Sequence, residues 1–287
     1  MSSSTSVAVF MCVGPRTPVR HVLDTIDSAE HWIGDDLDVL VAVDDSGDRE
    51  IAAALEARAP RVRRVPSGRV GSGVTGGLYA VTCRGMRAAL DLSDAPVVLQ
   101  LDTDALVVGP TPQREAVARL GEHPDVGLLG SCRTTCTGAR RDFSPAAQAL
   151  REDLRNWRHP VFAARMHLLR ARARRHGYER GEHLLGAAYF TSRACLEDLR
   201  RRGLLNGERL RRSTMADDQL LSLVVRSAGW RIGDFSGDGE PLAVVWKGLP
   251  WPVEEITRRG KKIVHSTKDH GDVREDDVRR YFAALRR

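Results

Sequence analysis

Apolar runs alternate with helical segments through the first hundred residues, and this alternation limits the chain to few folds. The runs lie at residues 7–13, 37–43 and 96–101 and are rich in valine and leucine. Apolar side chains at consecutive positions are typical of a parallel strand that is buried on both faces. The alternation therefore predicts an α/β fold, Rossmann-like, with a mostly parallel sheet and helices on both faces.

The remainder of the chain is less regular but continues with short strands and helices. Further strands are expected at 61–65, 126–131, 230–235 and 263–265. Helices are expected at 18–32, 50–58, 78–91, 145–175 (interrupted near Pro160), 194–202, 214–228 and 276–285. A chain of 287 residues can bury a large core, and it shows no internal repeat or low-complexity linker. We therefore expect one continuous domain over residues 1–287.

Two aspartates, Asp102 and Asp104, follow the third apolar run. Ligands of open α/β sheets bind beyond the carboxyl ends of the strands, so this pair is expected in a binding cleft. Two neighbouring carboxylates repel each other unless a cation lies between them, and a divalent cation with oxygen ligands would also hold phosphate oxygens. The alternative is a solvated turn. The apolar residues on both sides of the pair favour the metal site.

A second acidic pair, Asp44 and Asp45, follows the run at 37–43. An acid at the end of a parallel strand can accept a hydrogen bond from a ribose hydroxyl or a base N–H group. The sequence Asp-Ser-Gly is also good turn chemistry, so a structural role is the alternative. The presence of Asp102 and Asp104 at the same expected sheet edge favours nucleotide binding.

Two later segments also carry groups with possible chemistry. Asp217 and Asp218 lie at the start of an expected helix, where they either cap the helix or supply a general base to the cleft. His265 ends a short apolar run, so it is either structural or a late metal ligand, and Lys268 would then lie near a diphosphate. A lone histidine is more often structural.

The net charge of +6 is concentrated in one segment. Residues 151–180 contain nine arginines and three acids, an excess equal to the charge of the whole chain. A solvated helical face is the simplest interpretation. The alternatives are docking of an anionic or lipid-linked acceptor, and a binding module for nucleic acid or an anionic membrane surface. Aromatic side chains for base stacking are sparse in this segment, so we expect no nucleic-acid partner.

The cysteines and the amino terminus bear on location. Five cysteines without a C-x-x-C pair predict free thiols rather than disulfides or a zinc ribbon. The first residues lack the basic region of a secretory signal, and no apolar run approaches the ~20 residues that span a bilayer. We therefore expect a cytosolic protein without a transmembrane segment, in peripheral contact with the inner membrane surface if residues 151–180 dock there.

A glycine motif supports a rival function. Residues 71–76 read G-x-G-x-x-G before an expected helix, and Asp102 follows at roughly the distance expected of the acid in a dinucleotide-binding fold. An NAD(P)-dependent oxidoreductase is therefore an alternative. Against it, the motif does not follow the first strand of the chain, and the acid is doubled. A P-loop is excluded because no Lys-Ser/Thr follows the glycines.

Five short motifs in this order resemble the nucleotide-sugar glycosyltransferases of GT-A fold, especially the family-2-like group. They are the first strand 7–13, Asp44-Asp45-Ser, Asp102-Thr-Asp104, the segment 186–193, and Asp217-Asp218-Gln-Leu-Leu followed by Gly229-Trp. The resemblance covers about residues 7–235. It implies a metal-dependent transferase that moves a sugar from a nucleoside diphosphate, a UDP-sugar in the first instance, to an acceptor hydroxyl.

The resemblance also implies roles for individual residues. Residues 1–110 would bind the nucleotide sugar, and residues 111–287 would bind the acceptor and supply the tail. Asp104 would ligate Mn²⁺ or Mg²⁺ together with Asp102 and His265. Donor contacts would come from Asp44, Asp45, Asp102, Gly76 and Lys268. Asp218 would be the base; the family's Glu-Asp pair is Asp-Asp here, which leaves Asp217 as the alternative.

Overall fold

A computed structural model describes residues 5–286, which form ten strands and ten α-helices. The strands are β1 Val7–Val13, β2 Leu37–Asp44, β3 Val62–Pro66, β4 Val97–Leu101, β5 Leu106–Val107, β6 Val126–Gly130, β7 Ala188–Ser192, β8 Arg231–Asp234, β9 Leu242–Val244 and β10 Ile263–His265. The helices are α1 Val19–Ile33, α2 Arg49–Glu56, α3 Gly76–Leu92, α4 Pro112–Glu122, α5 Ser144–Leu154, α6 Pro160–Arg175, α7 Arg193–Arg201, α8 Asp217–Ser227, α9 Val253–Arg258 and α10 Glu275–Ala284.

Seven strands form the central sheet in the order β3-β2-β1-β4-β7-β6-β8. Every pairing is parallel except those of β7, which runs antiparallel to both β4 and β6. The predicted mostly parallel sheet is therefore confirmed. Strands β2 and β3 lie on one side of β1, and β4 lies on the other, so the strand order reverses between β1 and β4. Open α/β sheets bind their ligands at such a reversal.

Helices cover both faces of the sheet, as the sequence predicts. Along β1, the side chains of Ala8 and Phe10 enter one apolar core, and those of Val7, Val9 and Met11 enter the other. This alternation explains why the whole run had to be apolar, since a strand between two helix layers has no solvent face. Within residues 5–286, no helix combines the length and apolarity needed to cross a membrane.

A second sheet of three short strands lies in the order β5-β10-β9. Strand β10 pairs antiparallel with β5 and parallel with β9. Because β5 begins just after Asp104, this sheet brings the carboxyl-terminal part of the chain to the acids that follow β4. The division of function at residue 110 stays a prediction, although this pairing shows that both halves share one sheet.

The structure corrects several expected boundaries. The interruption expected near Pro160 is confirmed, since α5 and α6 are separated by residues 155–159. The helix expected from Thr214 begins at Asp217, because the Thr214 backbone and hydroxyl bond to Asp153 instead. The predictions omitted the helices α4 and α9 and the strands β5, β7 and β9. All five cysteines are free thiols, as predicted.

Candidate active site

A cavity of about 1010 Å³ opens at the carboxyl end of β4. Its lining comes from the turn after β4, the segment before β7, the start of α8 and the loops around β10. Nine of the lining residues have polar groups that the description of the site uses: Asp102, Asp104, His183, Gly186, Asp217, Asp218, Trp246, His265 and Lys268. The cavity therefore gathers six of the nine predicted site residues in one place: Asp102, Asp104, Asp217, Asp218, His265 and Lys268.

Asp102 and Asp104 are held by the turn that ends β4. The Asp102 backbone N–H donates to Ala187 O at 2.7 Å, and Gln100 Nε2 donates to Asp102 Oδ1 at 3.0 Å. Asp104 is almost fully buried and accepts a 2.7 Å bond from Ser266 Oγ. Thr267 N also donates to Asp104 O at 3.0 Å. The turn thus fixes one acid against β7 and the other against the segment after β10.

His265 and Lys268 converge on one carboxylate oxygen of Asp104. His265 Nε2 lies 3.0 Å and Lys268 Nζ lies 3.1 Å from Asp104 Oδ2. Burial raises the pKa of Asp104, but the hydrogen bond and charge of His265 and the charge of Lys268 outweigh it, so this pKa lies below its ordinary value. Lys268 is largely exposed, so its contribution is screened by water.

The tautomer of His265 is compatible with a cation site formed by His265 and Asp104. Its Nδ1 lies 2.7 Å from Val245 O, and a carbonyl oxygen only accepts, so Nδ1 carries a proton. In the neutral ring Nε2 then has a lone pair that faces the lone pairs of Asp104. This contact requires either a proton or a metal cation at Nε2. An Nδ1–H bond to a backbone carbonyl is also the usual arrangement behind a metal-ligating histidine.

Three potential ligand atoms, one each from Asp102, Asp104 and His265, lie within 4.8 Å of one another. Burial and the charge of Asp104 raise the pKa of Asp102, and His265 only partly offsets them. Burial lowers the pKa of His265, but the bond and charge of Asp104 leave it above its ordinary value. Two crowded carboxylates beside an imidazole form a donor set suited to Mn²⁺ or Mg²⁺.

Asp217 and Asp218 both line the cavity but differ in their contacts. Asp218 Oδ2 accepts a 2.8 Å bond from Gly186 N, and Oδ1 accepts one of 2.7 Å from Gln219 N. Asp217 Oδ2 accepts a 3.4 Å bond from the Thr82 hydroxyl. Burial, together with the charges of Asp218 and Asp102, raises the pKa of Asp217 well above its ordinary value. Asp218 is therefore the oriented carboxylate of the pair.

The segment Gly186-Ala187 connects the two acidic groups. Gly186 N bonds to Asp218, and the neighbouring Ala187 O accepts from Asp102 N. Ala187 has a φ of 78°, in the left-handed region that non-glycine residues rarely adopt. One short stretch of backbone therefore sets the position of Asp218 relative to Asp102.

The structure places Asp44 and Asp45 outside the lining of this cavity. Asp44 bonds to Ser46 and to Arg64 Nε at 2.8 Å. Asp45 accepts bonds from Ser67 Oγ at 2.6 Å and from Ser72 N at 2.6 Å, so it fixes the glycine-rich loop at 68–77. Val74 and Thr75 of that loop do line the cavity. Contact of Asp44 and Asp45 with a nucleotide stays a prediction.

Gly76, the last glycine of the G-x-G-x-x-G motif, and the adjacent Gly77 have a packing role in this chain. A Cβ at Gly76 would lie 2.4 Å from Leu210 O, and one at Gly77 would lie 1.9 Å from Ser72 O. Only glycine fits where backbone approaches this closely. Neither Gly76 nor Gly77 lines the large cavity, so their close approach is to the protein itself, and donor contact by Gly76 stays a prediction.

Several site residues escaped the sequence analysis. Ser266 bonds to Asp104, Gln100 bonds to Asp102, and His183 and Trp246 line the cavity. The role of Gln100 could have been predicted from the sequence, because a polar amide inside an otherwise apolar buried strand needs a hydrogen-bond partner. Ser266 follows His265 directly, but its partner is distant in sequence. For His183 and Trp246 the sequence carries no comparable signal.

Comparison with solved structures shows which proteins have a similar fold. The galactosyltransferase LgtC, solved with donor and acceptor sugar analogues, is 13% identical with a TM-score of 0.52, and the match covers 97% of this chain and 95% of LgtC. Glucosyl-3-phosphoglycerate synthase from Mycobacterium tuberculosis, solved with Mn²⁺ and UDP, is 16% identical over 89% of this chain and 76% of that one, with a TM-score of 0.45. The similarity to LgtC confirms the predicted GT-A fold.

A mannosyltransferase from Pyrobaculum calidifontis, solved with GDP-mannose and Mn²⁺, is 16% identical over 79% of this chain, with a TM-score of 0.43. This chain spans 54% of the length of that mannosyltransferase. No curated protein sequence matches significantly. The family model described as glycosyltransferase-like family 2 matches residues 7–236. This chain therefore belongs to the family-2-like glycosyltransferases and is an enzyme of that class rather than an oxidoreductase.

Proposed function

We propose that this chain transfers a sugar from a nucleoside diphosphate sugar to an acceptor hydroxyl with the help of Mn²⁺ or Mg²⁺. The proposal rests on one observation. Asp102, Asp104 and His265 come together beyond the carboxyl end of β4, and their ligand atoms lie within 4.8 Å of one another. The proposal takes UDP as the first nucleotide to test, as the sequence resemblance implies.

The donor's diphosphate would be the group bound beside these residues. A divalent ion held by Asp102, Asp104 and His265 supplies charge stabilisation to the leaving nucleoside diphosphate. Lys268 lies 3.1 Å from Asp104 Oδ2 and lines the same cavity, so it adds a positive charge beside the diphosphate. Without such charges, cleavage of the sugar–phosphate bond would leave the diphosphate's negative charge unbalanced.

The acceptor's proton would go to Asp218. Backbone N–H groups orient both of its oxygens, and the side chain lines the cavity that would contain the sugar. A base in that position serves a reaction that inverts the anomeric centre. Asp217 lines the same cavity and stays the alternative base, because a raised pKa makes a carboxylate a stronger proton acceptor.

The identity of the acceptor and the place of the reaction stay predictions. A cytosolic protein is expected, with contact between residues 151–180 and an anionic or lipid-linked acceptor at the inner membrane surface. These arginines lie on α5, on α6 and on the loops that flank α6, and none of them lines the cavity.

A thermal-shift panel of UDP-, GDP- and dTDP-sugars with and without Mn²⁺ tests the proposal. Ligands that bind the native state raise stability by mass action, about 2.7 kcal/mol at a ligand concentration of 100 times Kd. One nucleotide series should raise Tm only when metal is present, and the shift should disappear in Asp104→Asn. A metal-independent shift of equal size in wild type and variant would refute the metal role.

A further inference from the structure

The nine arginines of residues 151–180 lack acidic partners. None of them forms an ion pair with any acid in the part of the chain that the structure describes, whereas arginines elsewhere, such as Arg133, Arg226 and Arg279, do. The helical-face interpretation explains the exposed members of this set, such as Arg172 and Arg175. It does not explain why the half-buried Arg170 and the exposed Arg174 and Arg180 line one cavity.

Arg170, Arg174 and Arg180 line a cavity of about 340 Å³ together with Leu150 and Tyr178. Arg170 and Arg174 are four residues apart on α6 and therefore lie on one helix face. Arg180 comes from the loop after α6. No hydrogen-bond acceptor among residues 5–286 contacts any of the three guanidinium groups. Like charges at this spacing repel each other, so the arrangement is electrostatically unfavourable without an anion.

The acids nearest in sequence do not neutralise this cavity. Glu179 pairs with Arg133 Nη1 at 2.9 Å. Glu182 pairs with Arg133 Nη2 at 2.7 Å and with Arg226 Nε at 3.3 Å. These two acids and two arginines balance each other. The positive charge of the three cavity arginines is therefore uncompensated.

Tyr178 adds a neutral donor to the same cavity. Its hydroxyl accepts a 3.2 Å bond from Gly181 N, which leaves the hydroxyl proton to be donated elsewhere. The side chain is buried, and burial raises the pKa of the hydroxyl well above its ordinary value, so the proton is retained. The cavity thus presents three charged donors and one hydroxyl beside the apolar Leu150.

We propose that this arginine cavity binds a phosphate-bearing anion. Guanidinium groups bind phosphate oxygens in bidentate fashion, which suits three that face one space. Leu150 of α5 lines this cavity, whereas Pro145 and Ala149 of the same helix line the catalytic one, so α5 separates the two. The site is distinct from the proposed donor site, and it does not rest on the proposed transfer reaction.

Titration calorimetry with inorganic pyrophosphate, in buffer with a metal chelator, tests the site. The pair variant Arg170→Gln/Arg174→Gln should bind pyrophosphate at least about tenfold more weakly than wild type, because it loses two of the three charged donors. The matched control is Arg172→Gln/Arg175→Gln, which removes the same charge from exposed positions of α6 outside the cavity and should bind like wild type.

Arg180→Gln, which lies outside the helix, provides a second variant and should also weaken binding. Circular dichroism checks that each variant is folded. Equal loss of affinity in both pair variants would overturn the proposal, because it would show a response to the overall charge of α6. Absence of pyrophosphate binding to wild type would overturn it as well.

Vesicles distinguish the two sources of the phosphate group. Capture by phosphatidylglycerol vesicles but not phosphatidylcholine vesicles, competed by pyrophosphate and lost in Arg170→Gln/Arg174→Gln, would assign the group to a lipid headgroup. Pyrophosphate binding without vesicle capture would assign it to a soluble phosphorylated molecule. Capture of vesicles or duplex DNA that both pair variants weaken equally would count against a specific cavity.

Discussion

His265 Nε2 and Asp104 Oδ2 lie 3.0 Å apart, although they come from opposite halves of the chain. The contact exists because β10, which His265 ends, pairs with β5, which begins just after Asp104. The His265 Nδ1 proton is directed at Val245 O, so Nε2 faces the carboxylate without a proton of its own in the neutral ring. A proton or a metal cation at Nε2 satisfies this contact, and the nearby Asp102 carboxylate makes the group a candidate ligand set.

The first prediction concerns metal affinity. Asp104→Asn should weaken Mn²⁺ binding by at least about 10–100-fold, the loss that even an outer-shell partner of a metal ligand typically causes. Asp269→Asn is the matched control, since Asp269 lines the same cavity as an exposed carboxylate outside the predicted ligand set. Calorimetry with Mn²⁺ measures both. Equal losses in the two variants would point to diffuse attraction of cations by the cavity.

The second prediction separates the two acids of α8. Asp218→Asn should retain metal-dependent nucleotide binding and lose about 10²–10⁴-fold in transfer rate, because an amide cannot take the acceptor's proton. The transfer rate of Asp217→Asn should fall by a smaller factor. Donor affinity by calorimetry and transfer by product chromatography give the two readouts. If Asp217→Asn instead shows the larger loss in rate, the base is Asp217.

The third prediction is a pH dependence of stability. Asp217 has a raised pKa in the folded protein, so the folded state binds its proton more tightly than the unfolded state does. As pH rises from about 4, the usual pKa of a free aspartate, the unfolded state ionises first and the folded protein loses stability until the folded pKa is passed. Asp217→Asn removes this penalty and should raise Tm at pH 7 in metal-free buffer.

Below about pH 4 the side chain is protonated in both states, so the gain in Asp217→Asn should shrink there. Calorimetric scans at pH 4 and pH 7 measure the difference. Asp238→Asn is the control, because the Asp238 side chain is 98% exposed and no such change is expected. A gain in Asp217→Asn that is the same at both pH values would contradict the protonation argument.

The fourth prediction tests why Gly76 must be glycine. Gly76→Ala should destabilise the protein by about 1–3 kcal/mol, since its Cβ would lie 2.4 Å from Leu210 O. Gly121→Ala, in a helix with open space around the glycine, should stabilise by up to about 1 kcal/mol. Urea unfolding measures both. Unchanged stability with lost nucleotide binding in Gly76→Ala would favour the donor contact that the sequence predicts.

The sequence predicts the central strands β1, β2 and β4 well because most of their residues are apolar and buried. The predicted bounds of β1 match the structure, and those of β4 differ by one residue. Strands β5 and β9 have only two and three residues, too few to show a periodic pattern. The short second sheet was therefore only partly predictable. The contact between His265 and Asp104, which depends on that sheet, could not be predicted from strand patterns either.

The composition of the candidate site was predicted better than its internal contacts. Asp102, Asp104 and His265 do come together, as the family resemblance implies. The bond from Ser266 to Asp104 and the link through Gly186 and Ala187 depend on side-chain and backbone positions that no local pattern encodes. Asp45 shows the reverse case, in which an acid at a strand end binds the chain's own loop.

The pairing of β10 with β5 also sets an order of events during synthesis. A ribosome adds about 5–20 residues per second, so His265 emerges on the order of ten seconds after Asp104. During that interval the nascent chain holds both carboxylates without their imidazole partner. The proposed ligand set can therefore be completed only after residue 265 has been synthesised and β10 has paired with β5.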